Sequence, residues 1–130
     1  MNLSASLEEY LSAIYTLSKK NEAVRVTDIA TLLGVKKSST NTALNHLKEQ
    51  GLINYEKYKA ITLTKTGTAR ADFLSKRHSI FKKFLTDIIK TDEDLAEVEA
   101  EKLSHCVSCH TTAKLEKYIR DILESNNKKI

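Results

Sequence analysis

Glu101 and His105 lie four residues apart in a stretch with helical spacing. One helix face therefore carries a carboxylate and an imidazole, a pair that can hold a divalent cation. The run His105-Cys106-Val107-Ser108-Cys109-His110 places two thiols and two imidazoles within six residues. Nitrogen and sulfur donors at that density suit Zn²⁺ or Fe²⁺. The last five of these residues also match the C-x-x-C-H pattern of covalent haem attachment. Two thiols three positions apart can close reversibly into a disulfide. Metal binding, haem binding and thiol oxidation are all open at this point. So is an ordinary role, with Cys106 a small buried residue and Cys109 and His110 the start of a helix. No nucleophile is paired with a base at motif spacing, and no glycine-rich loop could cradle a phosphate. Catalysis is not expected.

The elements that must position these groups are helical. The 130 residues include no proline and three glycines, Gly34, Gly51 and Gly67, too few breakers for a loop-rich or all-β fold. Leu7, Tyr10, Leu11, Ile14 and Leu17 predict a first helix over 6–19, with Ser4 or Ser6 as N-cap. Thr27 opens a short second helix carrying Ile29, Leu32 and Leu33 and ending at Gly34. After the turn Val35-Lys36-Lys37, Ser38 or Ser39 caps a third helix, with Ala43, Leu44 and Leu47 inward and Gly51 as its stop. Two extended runs, 52–55 and 60–64, flank a charged tip, Glu56-Lys57-Tyr58-Lys59. Thr64 or Thr66 opens a long helix to about Lys90, striped by Ala69, Phe73, Ile80, Phe81, Phe84, Leu85 and Ile88. Asp92 caps a fifth helix with Leu95, Val98 and Leu103 inward. Ser108 caps a sixth, striped by Leu115, Tyr118, Ile119, Ile122 and Leu123, and 126–129 frays. The fold class is mainly α, with the boundary between two halves near 70–75.

Charge is unevenly spread. Residues 1–70 hold ten Lys/Arg against six Asp/Glu, and 71–130 hold eleven of each, so the net +4 lies in the first half. A basic front half suits a polyanion such as DNA. The run 92–101 holds six acids and no base, which suits a cation or a solvated helix face. Two short helices joined by a tight turn and followed by a β-hairpin are in the order of a winged helix-turn-helix. In that module the second helix presents its N-terminal residues to base edges in the major groove. The DNA-facing candidates are Lys36, Lys37, Ser38, Ser39, Thr40, Asn41, Asn45 and Lys48, with Lys57 and Lys59 at the wing tip. Hydroxyls and amides can read bases, and lysines neutralise phosphate.

Several runs resemble the DtxR/MntR family of metal-dependent transcriptional repressors. Leu7-Glu8-Glu9-Tyr10-Leu11-Ser12-Ala13-Ile14-Tyr15 is similar to that family's opening helix. Val24-Arg25-Val26-Thr27-Asp28-Ile29-Ala30, Leu33-Gly34-Val35 and Ser38-Ser39 resemble its helix-turn-helix. Gly51 to Tyr58 and Leu63-Thr64-Lys65-Thr66-Gly67 resemble its wing, and Arg77-His78 with Phe81 and Phe84-Leu85 its linking helix. The resemblance covers about 5–108. It implies a DNA-binding domain over 1–72 and a helical metal-binding and dimerisation domain over 73–130. It also implies a homodimer on a double-stranded operator, with metal at the junction of the halves promoting DNA binding. The chain ends where the short, MntR-like members end, so no C-terminal SH3-like domain is expected.

The resemblance also implies a ligand set: Glu9, His78, Glu101 and His105. Three positions depart from that pattern. Ser12 and Ser104 occupy positions where the MntR-like pattern has carboxylates. Lys82 stands one turn after His78, where a second site would need a carboxylate. One modified site is expected rather than two. Cys106, Cys109 and His110 fall outside the family's ligand positions and could replace the missing donors. Glu and His alone suit Mn²⁺ or Fe²⁺, and added thiolates favour Fe²⁺ or Zn²⁺.

The longest apolar runs fall far short of the roughly 20 residues of a membrane span, and the N-terminus has no signal-peptide pattern. Two cysteines make no disulfide framework. A cytoplasmic protein is expected, which disfavours covalent haem. Two alternatives remain: a haem- or redox-sensing winged-helix regulator using Cys106, Cys109 and His110, and a winged-helix interaction module that binds no DNA.

Overall fold

The computed structural model describes residues 3–20 and 23–127. In chain order the elements are α1 (Ala5–Lys20), α2 (Val26–Leu33), α3 (Lys37–Glu49), β1 (Ile53–Asn54), β2 (Thr62–Leu63), α4 (Lys65–Lys83), α5 (Glu93–Ser104) and α6 (Cys109–Asn127). The chain divides into two compact units, Met1–Leu74 and Ser75–Ile130.

In the first unit the predicted stripes meet. Leu11, Ile14, Ile29, Leu44 and Leu47 are fully buried, and Tyr10, Val24, Leu52, Ile53, Ile61, Ala71 and Leu74 close the core around them. Ser4, not Ser6, caps α1: its Oγ accepts from the Leu7 N–H at 3.2 Å. Helix α2 starts one residue before Thr27, and its cap is supplied from inside. The Asp28 carboxylate accepts from the Arg25 N–H at 2.9 Å. Gly34 ends α2 at φ +66°, the left-handed conformation that costs glycine little. Leu32 lies half-exposed instead of inward. Helix α3 starts at Lys37, ahead of the expected serine cap.

The hairpin is shorter than its alternating sequence suggests. Ile53 pairs with Leu63 and Asn54 with Thr62, antiparallel. Ile61 then bridges to Val24, its N–H donating to the Val24 carbonyl at 2.8 Å. Thr64 Oγ1 accepts from the Gly67 N–H at 3.0 Å and so caps α4.

In the second unit α4 stops being α-helical at Lys83 and continues as a π-helical turn, Phe84–Ile88. The Ile89 N–H reaches back five residues to the Phe84 carbonyl at 3.1 Å. Lys90 leaves the helix at φ +65°. Asp92 caps α5 and Ser108 caps α6, as expected. The buried face of α5 differs from expectation. Leu95 and Val98 are more than half exposed, whereas Ala96, Ala100 and Ser104 are fully buried. Small side chains at four-residue spacing let Phe81 and Leu85 pack closely on this face. Of the other expected inward residues, Ala69, Phe73 and Tyr118 are exposed.

Candidate metal centre and nucleic-acid interface

Helix α3 buries Thr40, Ala43, Leu44 and Leu47, which fixes the rest of its surface toward solvent. Lys37, Ser38, Ser39, Asn41, Asn45 and Lys48 are exposed, as is Lys36 just before the helix. Thr40 does not share that face. It has no exposed surface, and its hydroxyl donates to the Lys36 carbonyl at 3.0 Å. That correction follows from helix phase: position 40 lies three and four residues before Ala43 and Leu44, on the core stripe.

The wing tip turns at Tyr58, which takes φ +68° and is 87% exposed. Lys57 lies over the Tyr58 ring at 5.2 Å. Lys59 pairs with Glu56 at 3.0 Å, and that hydrogen bond holds the Glu56 carboxyl below its usual range. Two residues that sequence reasoning missed join this surface. Arg25 donates from its guanidinium to the Tyr58 carbonyl at 3.4 Å, adding a cation beside the tip. Tyr55 donates its hydroxyl to Asn41 Oδ1 at 2.6 Å, tying the hairpin to α3. Neither residue type carries a local signal for such a partner.

In the second unit His78 on α4, Glu101 on α5 and His105 at the end of α5 come together. His105 Nε2 stands 2.9 Å from Glu101 Oε1, and His78 Nε2 stands 3.9 Å from Glu101 Oε2. The His105 side chain is 3% exposed and that of Glu101 47%, so their hydrogen bond is shielded from water on the His105 side only. That bond is the main cause holding the Glu101 carboxyl below its usual range. Burial acts in the opposite sense, and the electrostatic influence of His105, then of His78, acts with the bond. Glu97, not among the expected ligands, lies 3.1 Å from His78 Nε2 through Oε1. Its other oxygen lies 2.8 Å from Lys82 Nζ, and Glu93 lies 3.7 Å from the same ammonium. The Glu97 hydrogen bond is the main cause raising the Lys82 pKa. In the acidic run of 92–101, nothing local distinguishes Glu97 from its neighbours.

The donor chemistry fits a divalent transition metal: imidazole nitrogens and carboxylate oxygens on facing helices. The groups stand as a chain of pairs. Among the described residues no three His, Cys, Asp or Glu side chains are disposed around one point so as to hold an ion. Ser104 contributes no donor to the cluster, since it is buried and its hydroxyl donates to the Glu101 carbonyl at 2.7 Å. Cys106 and Cys109 are exposed free thiols, and His110 is exposed on the first turn of α6. Glu9 is exposed on α1, and its neighbour Glu8 is the buried carboxylate there. Arg77 donates to the Val107 carbonyl, tying α4 to the loop that carries the cysteines.

Comparison with known proteins matches both halves. Residues 2–61 match the family described as iron dependent repressor, N-terminal DNA binding domain. Residues 64–128 match the iron dependent repressor, metal binding and dimerisation domain. An uncharacterised helix-turn-helix-type transcriptional regulator of Methanocaldococcus jannaschii is 37% identical over 107 residues, covering 82% of this chain and 86% of that protein. The transcriptional regulator MntR of Bacillus subtilis is 30% identical over 124 residues, covering 95% of this chain and 87% of MntR. Among solved structures, a manganese-dependent transcriptional repressor in complex with manganese superposes with a TM-score of 0.79 at 29% identity. That match covers 87% of this chain and 52% of the repressor chain, about half its length. No helix among the described residues is long and apolar enough to cross a membrane.

Proposed function

This chain belongs to the iron-dependent repressor family of DNA-binding transcriptional regulators, and we propose that it represses metal-homeostasis genes as a cytoplasmic homodimer whose operator affinity rises with bound divalent metal. The observation that carries the reading is Glu101, whose two oxygens face the imidazoles of His78 and His105. Residues 1–72 are the DNA-binding domain and 73–130 the metal-binding and dimerisation domain.

His78, Glu101 and His105 are the ligands within the second unit, and Glu9 on α1 joins them by sequence resemblance alone. Mn²⁺ or Fe²⁺ matches this donor set first, with Zn²⁺ next. When bound, the ion supplies a compact double positive charge to these donors. The residues themselves do the rest. His105 is held by burial and by Glu101, and its Nε2 would exchange that contact for the ion. Ser104 anchors the last turn of α5 through the Glu101 carbonyl. Cys106, Cys109 and His110 are exposed and form no part of the primary set. Lys36, Lys37, Ser38, Ser39, Asn41, Asn45 and Lys48 on and beside α3, with Lys57 and Lys59 at the wing, contact DNA. No catalytic role is assigned.

The test uses metal-stripped full-length protein and fragments of its own upstream DNA, with Mn²⁺, anaerobic Fe²⁺, Zn²⁺ or haemin added. The expected result is salt-sensitive binding promoted by one of the metals. His78→Ala and His105→Ala lose the metal response, while a Cys106→Ser/Cys109→Ser double variant keeps it. Tight binding in chelator, or a response only to haemin or oxidant through the cysteines, overturns the reading.

A further inference from the structure

Tyr55 follows β1, and its ring packs half-buried against the core of the first unit. That anchorage fixes where its hydroxyl can reach. The hydroxyl donates to Asn41 Oδ1 at 2.6 Å, across the step from hairpin to α3. Asn41 is exposed in the second turn of α3, four residues before the exposed Asn45. An asparagine amide has two chemically opposite ends, a carbonyl acceptor and an NH₂ carrying two donors. A free surface asparagine can turn either end outward. A phenol could meet either end, but 2.6 Å is the length of an O–H···O bond and short for N–H···O, so here the acceptor end is engaged by a phenol that the core holds in place.

We propose that Tyr55 is a positioning residue for sequence readout, which locks Asn41 with its NH₂ outward so that it reads acceptor atoms on a base-pair edge. In the major groove purine N7, guanine O6 and thymine O4 are acceptors, whereas adenine N6 and cytosine N4 are donors. An amide locked in this sense discriminates between these edges. An amide free to turn would satisfy either kind and discriminate less. The inference rests on the reading of the exposed α3 face as the DNA contact.

The experiment selects binding sites from a randomised duplex pool with full-length protein in excess Mn²⁺. It compares wild type with Tyr55→Phe, Asn41→Ala and Asn41→Asp, and records thermal midpoints and salt dependence in parallel. Tyr55→Phe keeps the buried ring and removes only the hydroxyl. It is expected to leave the thermal midpoint near that of wild type. Its preference for an acceptor base at one position of each half-site falls about tenfold, the scale of one good base contact. Other positions and the salt slope stay unchanged, since no phosphate contact is lost. Asn41→Asp keeps an acceptor for the Tyr55 hydroxyl but has no donors, so it loses the same preference although the tie between hairpin and helix survives. The proposal is overturned if Tyr55→Phe keeps the wild-type preference, or if it weakens all sites equally, as a purely structural tie would. If Asn41→Ala changes no base preference, the α3 contact face itself is misassigned, and the proposal falls with it.

Discussion

Lys82 brings a fixed positive charge onto the acidic face of α5, beside the groups assigned to the metal. Its ammonium holds one oxygen of Glu97 at 2.8 Å while the other oxygen faces His78 at 3.1 Å. As an exposed pair it adds little to stability. Its effect on an incoming divalent cation is larger, because like charges repel and Glu97 is engaged elsewhere. Lys82→Met removes the repulsion and frees a carboxylate next to His78. By isothermal titration this variant should bind Mn²⁺ about fivefold more tightly than wild type, roughly 1 kcal/mol. In Lys82→Met/Glu97→Gln the gain should be largely lost, and unchanged affinity in the single variant would remove Lys82 from the account. The residue scale also shows what could be read in advance. Glu101 and His105 are legible because four-residue spacing makes them neighbours on one helix. Glu97 is not, because its partners His78 and Lys82 come from another helix.

Helix α4 meets the hairpin through a glycine. A Cβ placed on Gly67 would lie 1.8 Å from the Leu52 carbonyl oxygen, well inside any tolerated contact. That oxygen also accepts from the Thr64 N–H at 3.0 Å, so moving it costs the bond that holds the residue capping α4 to the hairpin. Gly67→Ala should therefore destabilise the first unit by about 3 kcal/mol, a fall in thermal midpoint of roughly 10–20 °C. Helix propensity alone would favour alanine by up to ~1 kcal/mol, so the sign of the measured shift decides between local preference and tertiary contact. The same division explains what was legible among the elements. Gly34, Gly51, Asp92 and Ser108 end or start helices for local reasons and act where the sequence places them. Gly67 is constrained by a residue fifteen positions earlier, and spacing alone reads it only as a breaker. The π-helical turn at Phe84–Ile88 likewise has no signature in an apolar stripe that runs straight through it.

At the scale of the molecule, the second unit leaves several large apolar side chains exposed among its described residues. Its core is Phe81, Leu85, Ala96 and Ala100, with Phe84, Leu103, Val107 and Leu115 packed against them. Leu95 and Val98 project from α5 away from that core, each more than half exposed, and Ile89 and Tyr118 are exposed as well. Units of this size bury a smaller share of their surface than large domains do and are correspondingly marginal. A second copy packing on this face would account for the apolar spacing of Leu95 and Val98 on α5. Leu95→Glu/Val98→Glu should give a monomer at micromolar concentration by sedimentation, with the DNA-binding unit still folded. Two-fold symmetric repressors place two recognition helices on successive major grooves, so a monomer makes about half the phosphate contacts. The slope of log affinity against log salt should fall by about half, along with most of the operator affinity. A double variant that stays dimeric with an unchanged slope would move the subunit contact off this face of α5. A monomer that keeps full affinity and slope would mean that one chain alone accounts for the DNA contacts.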